Sequence, residues 1–349
     1  MMKPKIKVLI VDDSPTFRRL LVKGLAKYPD ISVIGQASNP YEAREIILKT
    51  NPDVITLDLE MPKMGGLEFI SILMKHHPIP IVIVSSFVTG KCQNSLKALE
   101  LGAIDVVGKP KNDSSKQLPF FQEELYKKIL AGSLAKVAGS KALSQHPPGI
   151  SGVENNTRSN LIAIGASTGG VQALKKILPC FPANSPPIII TQHMPAEFTA
   201  GFAHSLNVLC PNIEVREAQN GDGLRNGLAV IAPGDYHLLL SKKIGAYTVL
   251  VKHGPKVCYQ RPSVDVMFSS VADFAGKNAT GIILTGMGHD GAGGLLKMKR
   301  QGAFTIAESE KTCVVHGMPN AAVANGAVDC VRDLLEIPET IFNPQNNGR

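Results

Sequence analysis

Ser167 lies in a glycine-rich run, Gly165-Ala166-Ser167-Thr168-Gly169-Gly170, between the apolar residues 161–164 and a segment of helical spacing that begins near Val171. Glycines at 165 and 169 flank the serine with the spacing of a nucleophile elbow, a tight strand-to-helix turn that projects the hydroxyl clear of the sheet. The amides at the start of the helix can then hold an oxyanion. The run alone leaves phosphate binding and a plain turn open as alternatives.

Two later residues supply what such a serine needs. A serine nucleophile requires a base, and a histidine base requires an acceptor that fixes its tautomer and offsets the imidazolium charge. His193 follows the apolar run 188–190, and Asp290 follows the apolar run 282–284. We therefore predict Ser167 as nucleophile, His193 as base and Asp290 as the orienting carboxylate. Their order along the chain differs from that of α/β-hydrolases, which indicates a different fold with a similar triad.

A dinucleotide site is the main alternative for the glycine-rich run. Such a site needs a middle glycine where the backbone approaches the pyrophosphate, and in the run Gly165-x-x-x-x-Gly170 this chain has Ser167 there. The next strand ends in Thr191-Gln192-His193 without the acidic residue that binds a ribose. The run also contains no Gly-Lys-Ser/Thr, which disfavours a phosphate-loop ATPase. For His193 taken alone, a structural role remains the alternative.

A second group of polar residues follows the strands predicted in the N-terminal half: Asp12, Asp13, Asp58 with Glu60, Ser85 and Lys109. Carboxylates that converge on one point repel each other unless a cation joins them. Oxygen ligands together with a phosphoryl group are what Mg²⁺ prefers. The pattern predicts a metal-assisted phosphoryl-transfer site, and the alternative is that the acids cap helices while the lysine is solvated.

Short apolar runs that alternate with segments of helical spacing position these residues. The rhythm predicts five βα units in the first half and a second, mainly parallel α/β sheet in the other half. The predicted strands lie at residues 8–11, 33–37, 54–57, 81–84, 106–107, 161–164, 188–190, 229–232, 248–251, 282–284 and 305–306. In open parallel sheets, ligands bind beyond the carboxyl ends of the strands, where the polar residues above are found.

Composition favours a two-domain soluble protein. The chain has 349 residues, 44% hydrophobic and 19% charged. Over residues 127–157 the periodic pattern gives way to Ala, Gly, Ser, Pro and Asn, which predicts a flexible linker between domains at 1–126 and 158–345. The six cysteines form no Cys-x-x-Cys pair, and the basic residues behind the net charge of +8 are not clustered. With no apolar signal region at the N-terminus and no membrane-length apolar run, we expect a cytoplasmic protein without membrane insertion or nucleic-acid binding.

The N-terminal half resembles the receiver domain of bacterial response regulators over its whole length, through segments 11–14, 57–62 and 108–110. The resemblance implies a flavodoxin-like (βα)5 fold in which Asp58 accepts a phosphoryl group from a histidine kinase. The implied Mg²⁺ ligands are Asp12, Asp13, Asp58 and the Glu60 carbonyl, Lys109 contacts the phosphoryl oxygens, and Ser85 supplies the hydroxyl that moves to the phosphate. Val106 stands where many receivers carry an aromatic switch residue.

Nearly the whole chain resembles the chemotaxis protein-glutamate methylesterase (CheB) family, through segments 165–170, 192–195, 231–234, 261–265, 284–292 and 315–319. The resemblance implies a three-layer αβα Rossmann-like catalytic domain that hydrolyses γ-glutamyl methyl esters on chemoreceptors, deamidates receptor glutamines and needs no cofactor for the esterase. It also implies that Met287 lends its amide to the oxyanion and that Thr168 lies beside the site. Three departures lie outside the triad: Gln260 replaces a histidine, Ser205 an arginine and Glu308 a glutamine.

A receiver joined through a flexible linker to a serine hydrolase suggests a switch, in which the unphosphorylated receiver restricts access to Ser167 and phosphorylation of Asp58 releases it. The expected partners are the histidine kinase and methylated chemoreceptor cytoplasmic domains. The alternative is a response regulator with a non-catalytic DNA- or protein-binding output. A strand-rich second half without a basic recognition helix disfavours DNA reading. A third possibility, a nucleotide-dependent output enzyme, requires cofactor binding near Gly165.

Overall fold

The computed structural model describes residues 4–86, 92–110, 117–136, 157 and 159–343. The chain forms two compact units, residues 1–145 and 146–349, which are described separately below. Within the described residues, no helix is long and apolar enough to span a membrane.

The first unit contains a five-stranded parallel sheet with the strand order β2-β1-β3-β4-β5. Its strands are β1 (Ile6–Val11), β2 (Ile31–Ala37), β3 (Val54–Leu57), β4 (Ile81–Ser85) and β5 (Asp105–Gly108), and its helices are α1 (Pro15–Leu25), α2 (Pro40–Thr50), α3 (Gly66–His76), α4 (Cys92–Glu100) and α5 (Leu118–Ser133). All five predicted strands are present. The strands form because β-branched residues dominate runs that the helices cover, such as the fully buried β3 and β4.

Local capping fixes where the helices of this unit begin. Ser14 accepts a hydrogen bond from Phe17 N at the start of α1, and Asn39 accepts from two backbone amides at the start of α2. A proline follows each cap, where its missing N–H costs nothing. Helix α5 continues to Ser133, so the first residues of the segment 127–157 are helical. The rest of that predicted linker, residues 137–156, lies outside the described residues.

The second unit contains a seven-stranded parallel sheet with the order β14-β13-β12-β6-β7-β9-β8. The strands are β6 (Leu161–Ala166), β7 (Ile188–Gln192), β8 (Glu214–Glu217), β9 (Leu228–Ile231), β12 (Ala279–Ile283), β13 (Phe304–Glu308) and β14 (Cys330–Arg332). The helices are α6 (Gly170–Ile177), α7 (Ala196–Leu209), α8 (Val264–Phe274), α9 (Ala292–Arg300), α10 (Met318–Ala324) and α11 (Ile337–Phe342). The predicted α/β fold with a mainly parallel second sheet is confirmed.

One predicted strand has a different partner from the one expected. Residues 248–251 belong to β11 (Ala246–Lys252), which pairs antiparallel with β10 (His237–Lys243) in a separate two-stranded sheet. The two strands are joined at Ile244 and Gly245, both of which have positive φ angles, and so short a turn permits only an antiparallel neighbour. The hairpin packs on α8, where Leu240 N donates to Ser270 Oγ at 2.8 Å. Helix α8 is thereby held between the hairpin and the main sheet.

Candidate active site and phosphoacceptor site

Three neighbouring strands of the second unit carry the predicted catalytic residues at their carboxyl ends. Strand β6 lies between β7 and β12, and from β6 the chain proceeds first to one side of the sheet and later to the other. Such a switch point opens a crevice above the strand ends. Ala166 is in register with Gln192, and His193 N donates to Ala166 O at 3.1 Å, so that Ser167 lies opposite His193 on the adjacent strand.

A tight turn holds Ser167 between β6 and α6. Ser167 O accepts from Gly170 N at 2.7 Å, and Ser167 N donates to Thr285 O at 3.0 Å, which ties the turn to the loop after β12. Gly169 has a φ angle of +82°, a conformation that favours glycine. A Cβ at Gly286 would lie 2.7 Å from Ser167 Cβ, so only glycine permits the close approach of this loop to the serine.

His193 and Asp290 form a buried pair in which His193 Nε2 lies 2.8 Å from Asp290 Oδ2. The other ring nitrogen, Nδ1, is buried and has no hydrogen-bond partner among the described residues. A histidine whose Nε2–H is held by a carboxylate presents an unprotonated Nδ1 as an acceptor. The pair can therefore take up a proton at Nδ1, on the ring nitrogen that Asp290 leaves unused.

The start of α8 supplies the remaining hydrogen bonds of Asp290. Ser263 Oγ donates to Oδ1 at 2.8 Å, Val264 N donates to Oδ2 at 2.8 Å and Asp265 N donates to Oδ1 at 3.0 Å. Burial alone would raise the pKa of Asp290, but the hydrogen bonds from His193 and from these amides outweigh it, and the pKa lies below its ordinary value. Asp290 is thus stabilised as the carboxylate that an imidazolium needs.

The Gln192 carboxamide joins the nucleophile turn to the base. Its Nε2 donates to Ser167 O at 2.9 Å and to His193 O at 3.1 Å. Both acceptors are carbonyl oxygens, so a side chain with two donor hydrogens is needed at this point. The side chain is buried. Gln192 therefore fixes the separation between the backbones of Ser167 and His193.

The resemblance implies an oxyanion site at Met287 with Thr168 beside it, and Thr168 directly follows the serine. Thr168 is buried, and its carbonyl accepts from Thr285 Oγ1 at 2.9 Å. Gly286 is fixed on both sides, because its N–H donates to Val315 O at 2.9 Å and its carbonyl accepts from Met318 N at 2.7 Å. Met287 directly follows this anchored residue. The backbone that would stabilise an oxyanion is thus held rigid before substrate binds.

In the first unit, Lys109 bridges two aspartates. Its Nζ lies 2.7 Å from Asp12 Oδ2 and 2.5 Å from Asp58 Oδ2, and the Phe17 ring centroid lies 4.5 Å away. Burial raises the pKa of Asp12 above its ordinary value, and the hydrogen bond from Lys109 offsets only part of this effect. For Lys109, burial lowers the pKa, but hydrogen bonds to the two aspartates prevail and raise it. Lys109 is thus held in its charged form between the carboxylates of Asp12 and Asp58.

The other predicted residues of this site lie around the same strand ends. Ligand oxygens of Asp12, Asp13 and Asp58 lie within 4.8 Å of one another, a spacing that one cation can bridge. Glu60 N donates to Asp58 Oδ1 at 3.1 Å, which places the Glu60 backbone beside the acceptor. Ser85 is the buried last residue of β4, and its carbonyl accepts from Lys109 N at 2.8 Å. The donor set fits the Mg²⁺ that the sequence predicts.

The departures from family patterns have distinct surroundings. Val106 is buried on β5, Ser205 accepts a hydrogen bond from Lys175 at 2.8 Å on α7, and Gln260 closes a backbone turn with Val257.

The roles of Ser263 and Gln192 were not predicted from the sequence. Ser263 carries a detectable signal, since a serine directly before an apolar helical segment is a helix cap. The contacts of Gln192 depend on strand order and leave no such signal.

Family models match both halves of the chain. Residues 162–341 match the model of the CheB methylesterase family, and residues 8–117 match the response regulator receiver domain. The chain is 48% identical over 341 residues to protein-glutamate methylesterase/protein-glutamine glutaminase 2 of Syntrophus aciditrophicus, with 97% of this chain and 98% of the relative covered. A protein-glutamate methylesterase/protein-glutamine glutaminase of Methylobacillus flagellatus is 47% identical, with 99% and 98% covered.

A solved structure gives the same result. The CheB methylesterase catalytic domain of Thermotoga maritima matches with a TM-score of 0.52 and 37% sequence identity, over 53% of this chain and 98% of that chain. The resemblance predicted from the motifs is confirmed, and a non-catalytic output domain is not favoured. The chain belongs to the CheB methylesterase family and carries a response regulator receiver domain in front of the catalytic domain.

Proposed function

We propose that this protein is a phosphorylation-regulated protein-glutamate methylesterase that removes methyl esters from chemoreceptor glutamates and also deamidates receptor glutamines. The observation that carries the proposal is the buried His193–Asp290 pair, 2.8 Å apart, on strand ends that flank the end of β6 where Ser167 lies. This arrangement supports acyl transfer. The names of full-length relatives at 45–48% identity specify the same pair of activities.

The reaction proceeds in two halves. Ser167 Oγ attacks the ester carbonyl while its proton passes to His193 Nδ1, and the negative charge that develops on the carbonyl oxygen is held by the Met287 amide. Asp290 stabilises the imidazolium. The C–O bond to the methoxy group breaks, methanol leaves with the proton from His193, and an acyl-serine remains. Water, deprotonated by His193, then releases the glutamate carboxylate and restores the serine. A glutamine substrate loses ammonia in place of methanol.

The receiver unit supplies control. A histidine kinase transfers a phosphoryl group to Asp58, where Lys109 exchanges its ion pair with the free carboxylate for one with the phosphoryl oxygens. Asp12, Asp13, Asp58 and the Glu60 carbonyl would hold Mg²⁺, which neutralises charge on the transferring group when bound. The Ser85 hydroxyl then hydrogen-bonds to the phosphate. Phosphorylation of Asp58 raises the esterase activity of the other unit.

Two variants test these assignments. Ser167→Ala removes the nucleophile and is expected to lower methanol release from methylated receptor by several powers of ten, while phosphorylation of the receiver continues. Retained esterase activity in this variant contradicts the nucleophile assignment. Asp58→Asn is expected to keep the basal esterase rate and lose its stimulation by a phosphodonor. Stimulation that persists in Asp58→Asn contradicts the proposed regulation.

A further inference from the structure

A buried carboxyl group lies behind the active-site loop and takes no part in the mechanism above. Glu308 is the last residue of β13 and has no solvent exposure. Thr285 N donates to its Oε2 at 2.8 Å, whereas Oε1 has no hydrogen-bond partner among the described residues. Ionising such a carboxyl group is costly, because burial removes it from water and Oε1 has no donor to compensate the charge.

Thr285, which Glu308 holds, is connected directly to the nucleophile. Its carbonyl accepts from Ser167 N at 3.0 Å, and its hydroxyl donates to Thr168 O at 2.9 Å and accepts from Val315 N at 2.9 Å. The next residues along the chain are Gly286, which abuts Ser167, and Met287, whose amide is assigned to the oxyanion. Glu308 is therefore one hydrogen bond away from the segment 285–287, called here the oxyanion loop.

The surroundings of Glu308 favour its neutral form. Burial raises its pKa to about 7, and the donors on Thr285, Thr312 and Cys313, with the Lys176 ammonium on α6, offset only part of the effect. Among these groups only Lys176 carries a full positive charge. Arg332, which is in register with Glu308 on β14, donates to Val331 O at 3.0 Å. A neutral carboxylic acid still accepts the Thr285 hydrogen bond through its carbonyl oxygen.

We propose that Glu308 is a positioning residue for the oxyanion loop that supports ester hydrolysis when protonated and opposes it when ionised. The inference rests on the proposed function and adds to it a source of pH dependence. The protonated side chain acts as a glutamine carbonyl would, as the acceptor that orients Thr285. The ionised side chain places a buried negative charge behind the loop whose amide must stabilise a developing oxyanion, and like charges in a buried site repel strongly.

The test compares Glu308→Gln with the wild type in the full-length chain. Both carry Asp58→Asn so that the receiver stays in one state, and methanol release from methylated receptor is followed from pH 6 to pH 9. We expect a wild-type kcat that falls above pH 7 and a Glu308→Gln kcat that does not fall. At pH 8.5 the variant should be roughly tenfold faster, the factor expected for a unit charge within about 10 Å of the oxyanion at a protein-like dielectric constant. The two rates should converge near pH 6.

Control variants separate this role from a purely structural one. Glu310→Gln removes the same charge at an exposed position two residues away and should follow the wild-type profile. Glu308→Leu removes the acceptor for Thr285 N and should lower kcat at every pH. An alkaline fall in Glu308→Gln equal to that of the wild type, or a loss of kcat at every pH as in Glu308→Leu, overturns the proposal.

A second measurement does not depend on turnover. The infrared C=O band of a protonated carboxylic acid that is present in the wild type and absent in Glu308→Gln should titrate with a midpoint near pH 7. A band that disappears near the pKa of an ordinary glutamate contradicts the proposal even if the enzyme is active. If the wild type releases no methanol, the proposed function fails, while the infrared titration still decides the protonation state of Glu308.

Discussion

Replacing Glu308 by Gln is expected to stabilise the catalytic unit against unfolding at alkaline pH. The pKa of Glu308 rises from 4.5 to about 7 on folding because burial penalises its charge. At about 1.4 kcal/mol per unit, the shift corresponds to about 3 kcal/mol. The folded state binds the proton more tightly than the unfolded state does. The contribution is therefore fully present below pH 4.5 and is lost as pH rises through the folded pKa of about 7.

The assay is thermal unfolding of the full-length wild type and of Glu308→Gln at pH 5, 6, 7 and 8, followed by calorimetry so that the transition of each unit is resolved. Glutamine cannot ionise, so the difference between the two proteins isolates the titration of Glu308. For a unit of this size, about 3 kcal/mol corresponds to roughly 6–12 °C in Tm, which should develop between pH 5 and pH 8 in favour of the variant. The transition of the receiver unit should not move.

Two results would refute this reasoning. A Tm difference that does not change with pH means that the variant alters packing and that Glu308 does not titrate between pH 5 and pH 8. A difference of the opposite sign, with the wild type gaining stability at alkaline pH, means that the ionised carboxylate is satisfied in the folded protein. Glu310→Gln, at an exposed position, provides the baseline for loss of a carboxylate without desolvation.

Further predictions concern the supports of the site. Ser263→Ala removes both the cap of α8 and a donor to Asp290, so urea unfolding should show a loss of about 1–2 kcal/mol in the free energy of unfolding, and kcat should fall with KM unchanged. Ser263→Thr should restore the stability and kcat. A normal kcat in the alanine variant would exclude a role of Ser263 in positioning Asp290. Gly286→Ala should lower kcat by about 100-fold or more, because the added Cβ displaces Ser167. Gly223→Ala, whose added Cβ would have no atom within 4 Å, should leave kcat unchanged. Equal rates in the two variants would refute the steric argument. Chelation of divalent cations should abolish phosphorylation of Asp58 and spare basal methanol release, and loss of the basal rate would point to a metal in esterase catalysis.

The strands, and the polar residues that follow them, could be predicted because parallel strands are buried on both faces. Runs such as Ile188–Ile190 and Ile282–Leu284 are continuously apolar, and each gives way to a polar residue where the strand meets the crevice. The segment of helical spacing predicted to begin near Val171 corresponds to α6, which begins at Gly170. The run of apolar residues along one strand shows that the strand is buried, and this can be seen from the segment alone.

The contacts that complete the site depend on long-range placement. Asp290 takes three of its hydrogen bonds from residues 263–265, about 25 positions earlier in the chain, and Glu308 reaches Thr285 across the neighbouring strand. No periodic pattern or fixed spacing in the sequence indicates either set of hydrogen bonds. The sequence places residues 248–251 in the main sheet and does not indicate β10, because an apolar run shows that a strand exists without showing its neighbour.

The chain order of the three predicted catalytic residues follows from the sheet. Strand β6 is central, β7 lies on one side of it and β12 on the other, so the residues after β7 and β12 can both approach a serine at the end of β6. After β6 the chain forms β7 and later β12, which gives the order serine, histidine, aspartate. A chain that crossed to the other side first would place the acid before the base with the same geometry at the strand ends. The order of the three residues along the chain therefore reflects the path of the chain through the sheet. The proposed acyl-transfer chemistry is indicated by the His193–Asp290 pair beside Ser167.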